Sequence, residues 1–171
     1  MRKRDAILST DQKALELNLD KYKYGSIVEI GAGQEVARRF FQVGAAAGTV
    51  AKTMSAYDMA VSDDIYGHVD RYVSRARLLQ MLDKEFNQVV ERLSHLRPRN
   101  TTFFAYAATV TARSFQQNKE CHGWIGIRLQ LHPGAAPSDV IMHVRMLDDT
   151  NAQQSEALGV LGVNLIHGAF F

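Results

Sequence analysis

One stretch constrains this chain more than any other. It runs Tyr24-Gly25-Ser26-Ile27-Val28-Glu29-Ile30-Gly31-Ala32-Gly33-Gln34-Glu35-Val36-Ala37-Arg38-Arg39-Phe40-Phe41. Ser26 to Ile30 is apolar and short enough for a strand, and Gly31 to Gly33 makes a corner. Gln34 to Val43 then reads as a helix, because Val36, Ala37, Phe40 and Phe41 share one face. Glu35 in its first turn suits the helix dipole. A strand, a glycine corner and a helix in that order bring the backbone to the positive end of a helix, where a ligand can approach. The stretch commits the chain to an α/β architecture and makes the corner the first candidate site.

The remaining elements follow from periodicity and caps. Ser9 and Gln12 stand at capping-box spacing, predicting a helix to about Leu19 with Leu15 and Leu19 on one face. Tyr22 to Gly25 reads as a turn. Thr49 to Asp58 reads as a second strand, completing a strand-helix-strand unit, and Asp58 to Tyr72 as an irregular loop. Ser74 to Leu96 is a helix with a seam of Leu79, Leu82, Phe86, Val89, Leu93 and Leu96, closed by Pro98. Thr101 to Arg113, Trp124 to Leu131 and Val140 to Leu147 read as three antiparallel strands; in the second, Ile125, Ile127, Leu129 and Leu131 face one way. Thr150 and Gln153 start a helix that Gly162 should stop near Leu161, leaving Asn164 to Phe171 as a terminal strand. The expected fold is α/β with an α+β character. It is a single mixed sheet with an initial strand-helix-strand unit, later antiparallel strands and helices packed on it. Residues 1–171 form one domain, and the abrupt end at Phe170-Phe171 reads as the N-terminal portion of a longer chain.

Charge narrows the function classes. Twenty basic residues against 18 acidic ones give a net charge of +2, too balanced for a nucleic-acid face. Arg71, Arg75, Arg77, Lys84, Arg92, Arg97 and Arg99 lie in or beside the long helix, diluted by Asp70, Asp83, Glu85 and Glu91, and read as a solvated face. The single cysteine, Cys121, excludes an intrachain disulfide. No apolar run has the length of a membrane span, and the basic start, Met1 to Asp5, leads into no apolar core. A cytoplasmic protein without membrane or nucleic-acid partners is expected.

Two constellations could carry chemistry. In the first, Glu29 ends a strand before Gly31 and Gly33, which resembles the first motif of Rossmann-type S-adenosylmethionine methyltransferases. The resemblance implies cofactor contacts at Glu29, Gly31, Gly33 and Gln34, with Ser55 nearby on the next strand. Glu35 stands where a third glycine is expected, so a dinucleotide pyrophosphate is disfavoured. A tight turn without a ligand is the competing reading. In the second, Lys52, Tyr57 and Asp58 are candidate catalytic residues: a point charge for phosphate or carboxylate, a ring and an acid. Asp58, Asp63 and Asp64 are the carboxylates a hard cation could draw together, at loose spacing. The alternative there is a solvated loop with a helix cap. The six histidines show no zinc spacing, Cys121 reads as an inert thiol, and no P-loop, Gly-x-Ser-x-Gly elbow or kinase set is present. No cofactor is identified.

The blocks Glu29 to Arg38, Gly48 to Lys52, Ser55 to Met59, Ser62-Asp63, Ile65 to Gly67, Arg71 to Arg75, His122 to Trp124 and Glu156 to Leu165 also resemble a poorly characterised family of longer bacterial proteins. Its members are labelled inconsistently as nicotinate- or nicotinamide-nucleotide adenylyltransferases or as TonB-dependent receptors. Ile65-Tyr66-Gly67-His68 lacks the first residue of an adenylyltransferase turn, and the chain is too short for a receptor barrel.

Three readings therefore stand. The first is a small-molecule or nucleotide-binding domain, part of a nucleotide-dependent enzyme. The second is a non-catalytic interaction module, pairing as a homo-oligomer or through its C-terminal edge. The third is a methyltransferase-like domain. All lean on Glu29, Lys52 and Asp58 sharing one cleft.

Overall fold

A computed structural model describes residues 7–113 and 120–171. The basic start falls outside the described residues. Five strands form one mixed sheet in the order β2-β1-β3-β4-β5. They are β1 (Lys23–Gly31), β2 (Val50–Met54), β3 (Thr102–Val110), β4 (Cys121–Leu129) and β5 (Ser138–Met146). β1 pairs in parallel with both β2 and β3, and β4 and β5 continue the sheet antiparallel. The predicted strand-helix-strand unit and the antiparallel second half are both present.

Helices cover the sheet in two layers. On one face lie α1 (Thr10–Leu19), α2 (Glu35–Gln42) and α5 (Asn151–Phe170); on the other, α3 (Met59–Tyr66) and α4 (Arg75–Leu93). Two cores result. Ile27, Phe104, Tyr106, Ile125 and Ile127 pack under α1, α2 and α5. Val28, Ala105 and Ala107 pack under α4. Strands buried on both faces read as near-continuous apolar runs, as in Phe103 to Val110.

Several boundaries differ from the sequence reading. β1 begins at Lys23 rather than after a turn, because Tyr24 and Gly25 already pair with Phe103 and Phe104. On α1, Ala14, Leu17 and Asn18 are buried instead of Leu15 and Leu19. β2 ends at Met54, and the expected loop after it holds α3, capped by the Asp58 carboxylate accepting from the Val61 N–H at 3.1 Å. Leu131 is exposed beyond the end of β4.

The largest difference is at the C-terminus. No strand follows Gly162; α5 continues to Phe170. Glycine in a helix interior costs about 1 kcal/mol relative to alanine, yet Gly162 is where α5 meets α2. A Cβ there would sit 2.2 Å from Val36 Cγ2 and 2.7 Å from the Tyr106 hydroxyl. Close helix contact, with Val163 and Ile166 fully buried behind it, outweighs propensity. The edges free to pair are therefore β2 and β5, not the C-terminal segment.

Candidate functional site

Two concavities lie at the C-terminal ends of the parallel strands, one on each face of the sheet. The first is a cleft of about 600 Å³ between α2 and the β1–β2 pair, lined by Ile27, Glu29, Gln34, Arg38, Thr53 and Ser55 among others. Glu29 forms its floor and is 3% exposed. The Val36 and Ala37 N–H groups donate to its two carboxylate oxygens at 3.1 Å each. Gln34, the residue at the N-cap position of α2, makes no side-chain cap; the strand next door supplies it. Burial pushes the Glu29 carboxyl up from 4.5 to about 7, against the lowering by the two backbone donors, and neighbouring Glu35 adds to the rise. The Tyr106 hydroxyl, fully buried on the same face, has no hydrogen-bond partner among the described residues. Burial first, and then the charge of Glu29, raise its pKa well above 10.0.

This arrangement changes the meaning of the glycine corner. Gly31 has φ +97°, and a Cβ on it would lie 1.9 Å from the Val110 carbonyl oxygen. The Ala32 N–H donates to that same oxygen at 3.0 Å, and the Ser155 hydroxyl donates to the Ala32 carbonyl. Gly33 faces Ser155 and Leu158 of α5. Gly31 and Gly33 thus seat the chain against itself and do not line the cleft, whereas Glu29, Gln34 and Ser55 do. The positive end of α2 is already occupied by the chain's own carboxylate.

Lys52 and Asp58 do not join Glu29. Lys52 is the register partner of Ser26 and lies on the α4 face, its Nζ 2.6 Å from Glu85 Oε2. Glu85 is 1% exposed and also accepts from the Tyr66 hydroxyl at 2.8 Å. Burial and the adjacent carboxylate drive the Tyr66 phenol far up. Asp58 is spent on the α3 cap. Among the described residues no group of three or more His, Cys, Asp or Glu is placed to hold a metal ion. Asp63 instead accepts from Arg77 at 2.9 Å, from Tyr72 at 2.8 Å and faces His68 at 3.1 Å. Its pKa is lowered, first by His68 and then by Tyr72.

The second concavity, about 130 Å³, lies on the α4 face. Tyr57 stands at its mouth, and Ser62, Tyr72 and Arg77 contribute to its walls. Arg77 is a correction to the sequence reading: far from solvated, it is 1% exposed. Its guanidinium stands 5.2 Å from the Tyr72 ring centre. The readable signal was position. Arg77, Met81, Glu85 and Val89 recur every fourth residue on the buried stripe of α4, so two charges interrupt an apolar face. Elsewhere, Cys121 is buried, and the His143 and His122 rings meet at 3.3 Å beside Trp124.

No protein-family model matches the chain, and no curated protein matches it in sequence. Solved structures do match in fold. The competence/damage-inducible protein CihA from Agrobacterium tumefaciens superposes with a TM-score of 0.65 at 14% identity, covering 96% of this chain and 98% of that one. A competence-damaged protein (CinA) superfamily member from Enterobacter cloacae gives 0.66 at 9% identity, covering 100% and 98%. Another from Klebsiella pneumoniae gives 0.66 at 8%, covering 95% and 98%. The chain shares the α/β fold of these structures. That overturns the resemblance to proteins labelled adenylyltransferase or TonB-dependent receptor: the structural neighbours carry neither description. No helix among the described residues is long and apolar enough to cross a membrane.

Proposed function

We propose that this domain binds a small molecule in the α2 cleft, with Gln34, Arg38, Thr53 and Ser55 as polar contacts and Glu29 on the floor. One observation carries the reading: a cleft of about 600 Å³, within the usual range for ligand sites, is floored by a buried carboxyl poised near pH 7. Such a group offers an acceptor when ionised and a donor when protonated. It favours a neutral or weakly basic polar ligand over a phosphate, because the helix N-terminus a phosphate would use is filled from within. A nucleoside or nucleobase fits this chemistry better than a nucleotide, and S-adenosylmethionine is an arm of the same test.

The test is thermal melting and calorimetry of the full chain against nucleobases, nucleosides, nucleotides and S-adenosylmethionine, repeated on Ala37→Trp, which fills the cleft. At least one neutral or cationic class should raise the melting temperature of the wild type and leave the variant unmoved. A shift that survives in Ala37→Trp, or none across the panel, removes the reading.

An interaction role has one specific observation behind it. β5 is an edge strand, and Val140 and Met142 on it are 40% and 39% exposed. Light scattering showing a dimer that Val140→Lys dissociates would favour that second reading; a monomer would remove it.

A further inference from the structure

The two free edges of the sheet are guarded differently. β2 is five residues long, and its pairing with β1 slips between Gly25 and Ser26. β5 is nine residues long, keeps an unbroken register beside β4, and holds neither lysine nor proline. Shortness, bulges, lysine and proline are what keep an edge strand from pairing, so β5 is the unguarded edge. Among the described residues no strand lies beyond it.

Backbone parity fixes which groups are free. The Gln130 N–H donates to the Phe103 carbonyl and the Thr111 N–H to the His122 carbonyl, both at 3.0 Å. Even-numbered residues along β4 therefore turn their backbone groups to β3. Direction alternates along an antiparallel strand, so the odd-numbered residues of β4 serve β5, where their register partners are Ser138, Val140, Met142, Val144 and Met146. The Val140 carbonyl oxygen lies against Gly126 of β4, as this parity requires. The N–H and C=O groups of Asp139, Ile141, His143 and Arg145 are left pointing away from the sheet.

The sequence of β5 is self-complementary. Laid antiparallel about a two-fold axis at Met142, two copies pair along the whole strand, outward groups with outward groups. Met142 meets itself, Val140 meets Val144, Ile141 meets His143, and Asp139 meets Arg145 of the second copy. Moving the axis to Ile141 or His143 shortens the ladder and sets Asp139 against His143 or Leu147 instead. Charge favours the first register. Arg128 lies between two carboxylates, Asp83 and Asp139, so that end of the strand keeps one negative charge in excess. Arg145 at the other end pairs with Glu120, and both side chains are more than half exposed, a contact of little strength. On the α5 face, Val140 and Met142, 40% and 39% exposed, gain apolar neighbours from the second copy. A two-fold interface makes each of these contacts twice. We infer that two copies of this chain join β5 to β5 about Met142, making one continuous sheet. This deepens the interaction reading given above and rests on it.

Light scattering and oxidative cross-linking of the full chain test this at tens of micromolar. The wild type should be a dimer. Met142→Cys should link covalently on oxidation, because residues opposed across a non-hydrogen-bonded pair stand close enough for a disulfide. Val140→Cys, which carries the same Cys121, should not link, because Val140 faces Val144. Arg145→Glu should weaken the dimer roughly tenfold or more, since like charges then oppose each other twice, and Glu120→Gln should leave it unchanged. A monomeric wild type overturns the inference and the interaction reading together. A dimer in which Met142→Cys fails to link, Val140→Cys links instead, Arg145→Glu has no effect, or Glu120→Gln weakens it as much overturns this inference alone.

Discussion

The two faces of the sheet bury charge in opposite ways. On the α2 face, the buried Glu29 carboxylate is held only by backbone N–H donors at a helix end. On the α4 face, Arg77 pairs with Asp63 and Lys52 with Glu85. Burial penalises the ionised form of Glu29 more than its backbone donors favour it, whereas His68, Tyr72 and Arg77 favour the ionised form of Asp63. The faces also pack differently. α2 and α5 approach backbone to backbone through Gly159 and Gly162, whereas α4 rests on the sheet through long side chains.

The packing contrast predicts the largest effect. Gly162→Val should cost about 3 kcal/mol or more, because overpacking drives a side chain into Val36 and Tyr106. Gly126→Ala on the other face should cost about 1 kcal/mol: a Cβ there lies 2.9 Å from Ile141 Cδ1, 3.0 Å from the Val140 carbonyl oxygen and 3.1 Å from Leu78 Cδ2, two of which are movable side-chain ends. Urea unfolding of both variants measures the difference, and equal losses would break the contrast.

The charge contrast predicts pH dependences of opposite sign. Glu29 has a folded pKa above its ordinary 4.5, near 7. The folded state therefore holds the proton more tightly, and the stability Glu29 contributes is full below about pH 4.5 and lost as pH rises through 7. A rise of that size is worth up to about 3 kcal/mol, at about 1.4 kcal/mol per tenfold change in proton affinity. Asp63 is the reverse: its lowered pKa gives stability that is present above its ordinary value and lost as pH falls through the folded one. Unfolding free energies from pH 3 to 8 should show Glu29→Gln removing the loss on the neutral side, and Asp63→Asn removing the loss on the acid side. Identical profiles in the two variants would refute the distinction.

Smallest are the caps, one on each side. Thr150 accepts from the Gln153 N–H at the start of α5, and Ser74 from the Arg77 N–H at the start of α4. Thr150→Ala and Ser74→Ala should each cost about 1 kcal/mol in the same assay.

What the sequence disclosed follows the same division. Features set by local chemistry were readable: the capping boxes at Ser9/Gln12 and Thr150/Gln153, the amphipathic α4, the alternation of Ile125, Ile127 and Leu129, and the parallel strand-helix-strand unit. Features set by contacts distant in sequence were not. Gly162 looks like a helix stop until Val36 is known to lie against it. Gly31 and Gly33 look like a ligand cradle until Val110 and Ser155 are found there. Lys52 and Glu29 seem to converge until the short β2 fixes which face each side chain takes. Glu29 was legible as a candidate because an acid ending a strand before Gly31 and Gly33 resembles a methyltransferase motif; that it caps the helix required the fold. Arg77 was overlooked because a charged residue on a helix defaults to the solvated face, and only its spacing with Met81 and Glu85 argued otherwise.

Everything proposed for the α2 cleft depends on Glu29 being a buried internal cap. A carbon-detected NMR titration of the glutamate side-chain carboxyls, assigned by Glu29→Gln, reads this directly. The account predicts a midpoint for Glu29 near 7 that moves when a cleft ligand binds. A midpoint at the ordinary 4.5, insensitive to ligand, would show a solvated side chain and contradict it.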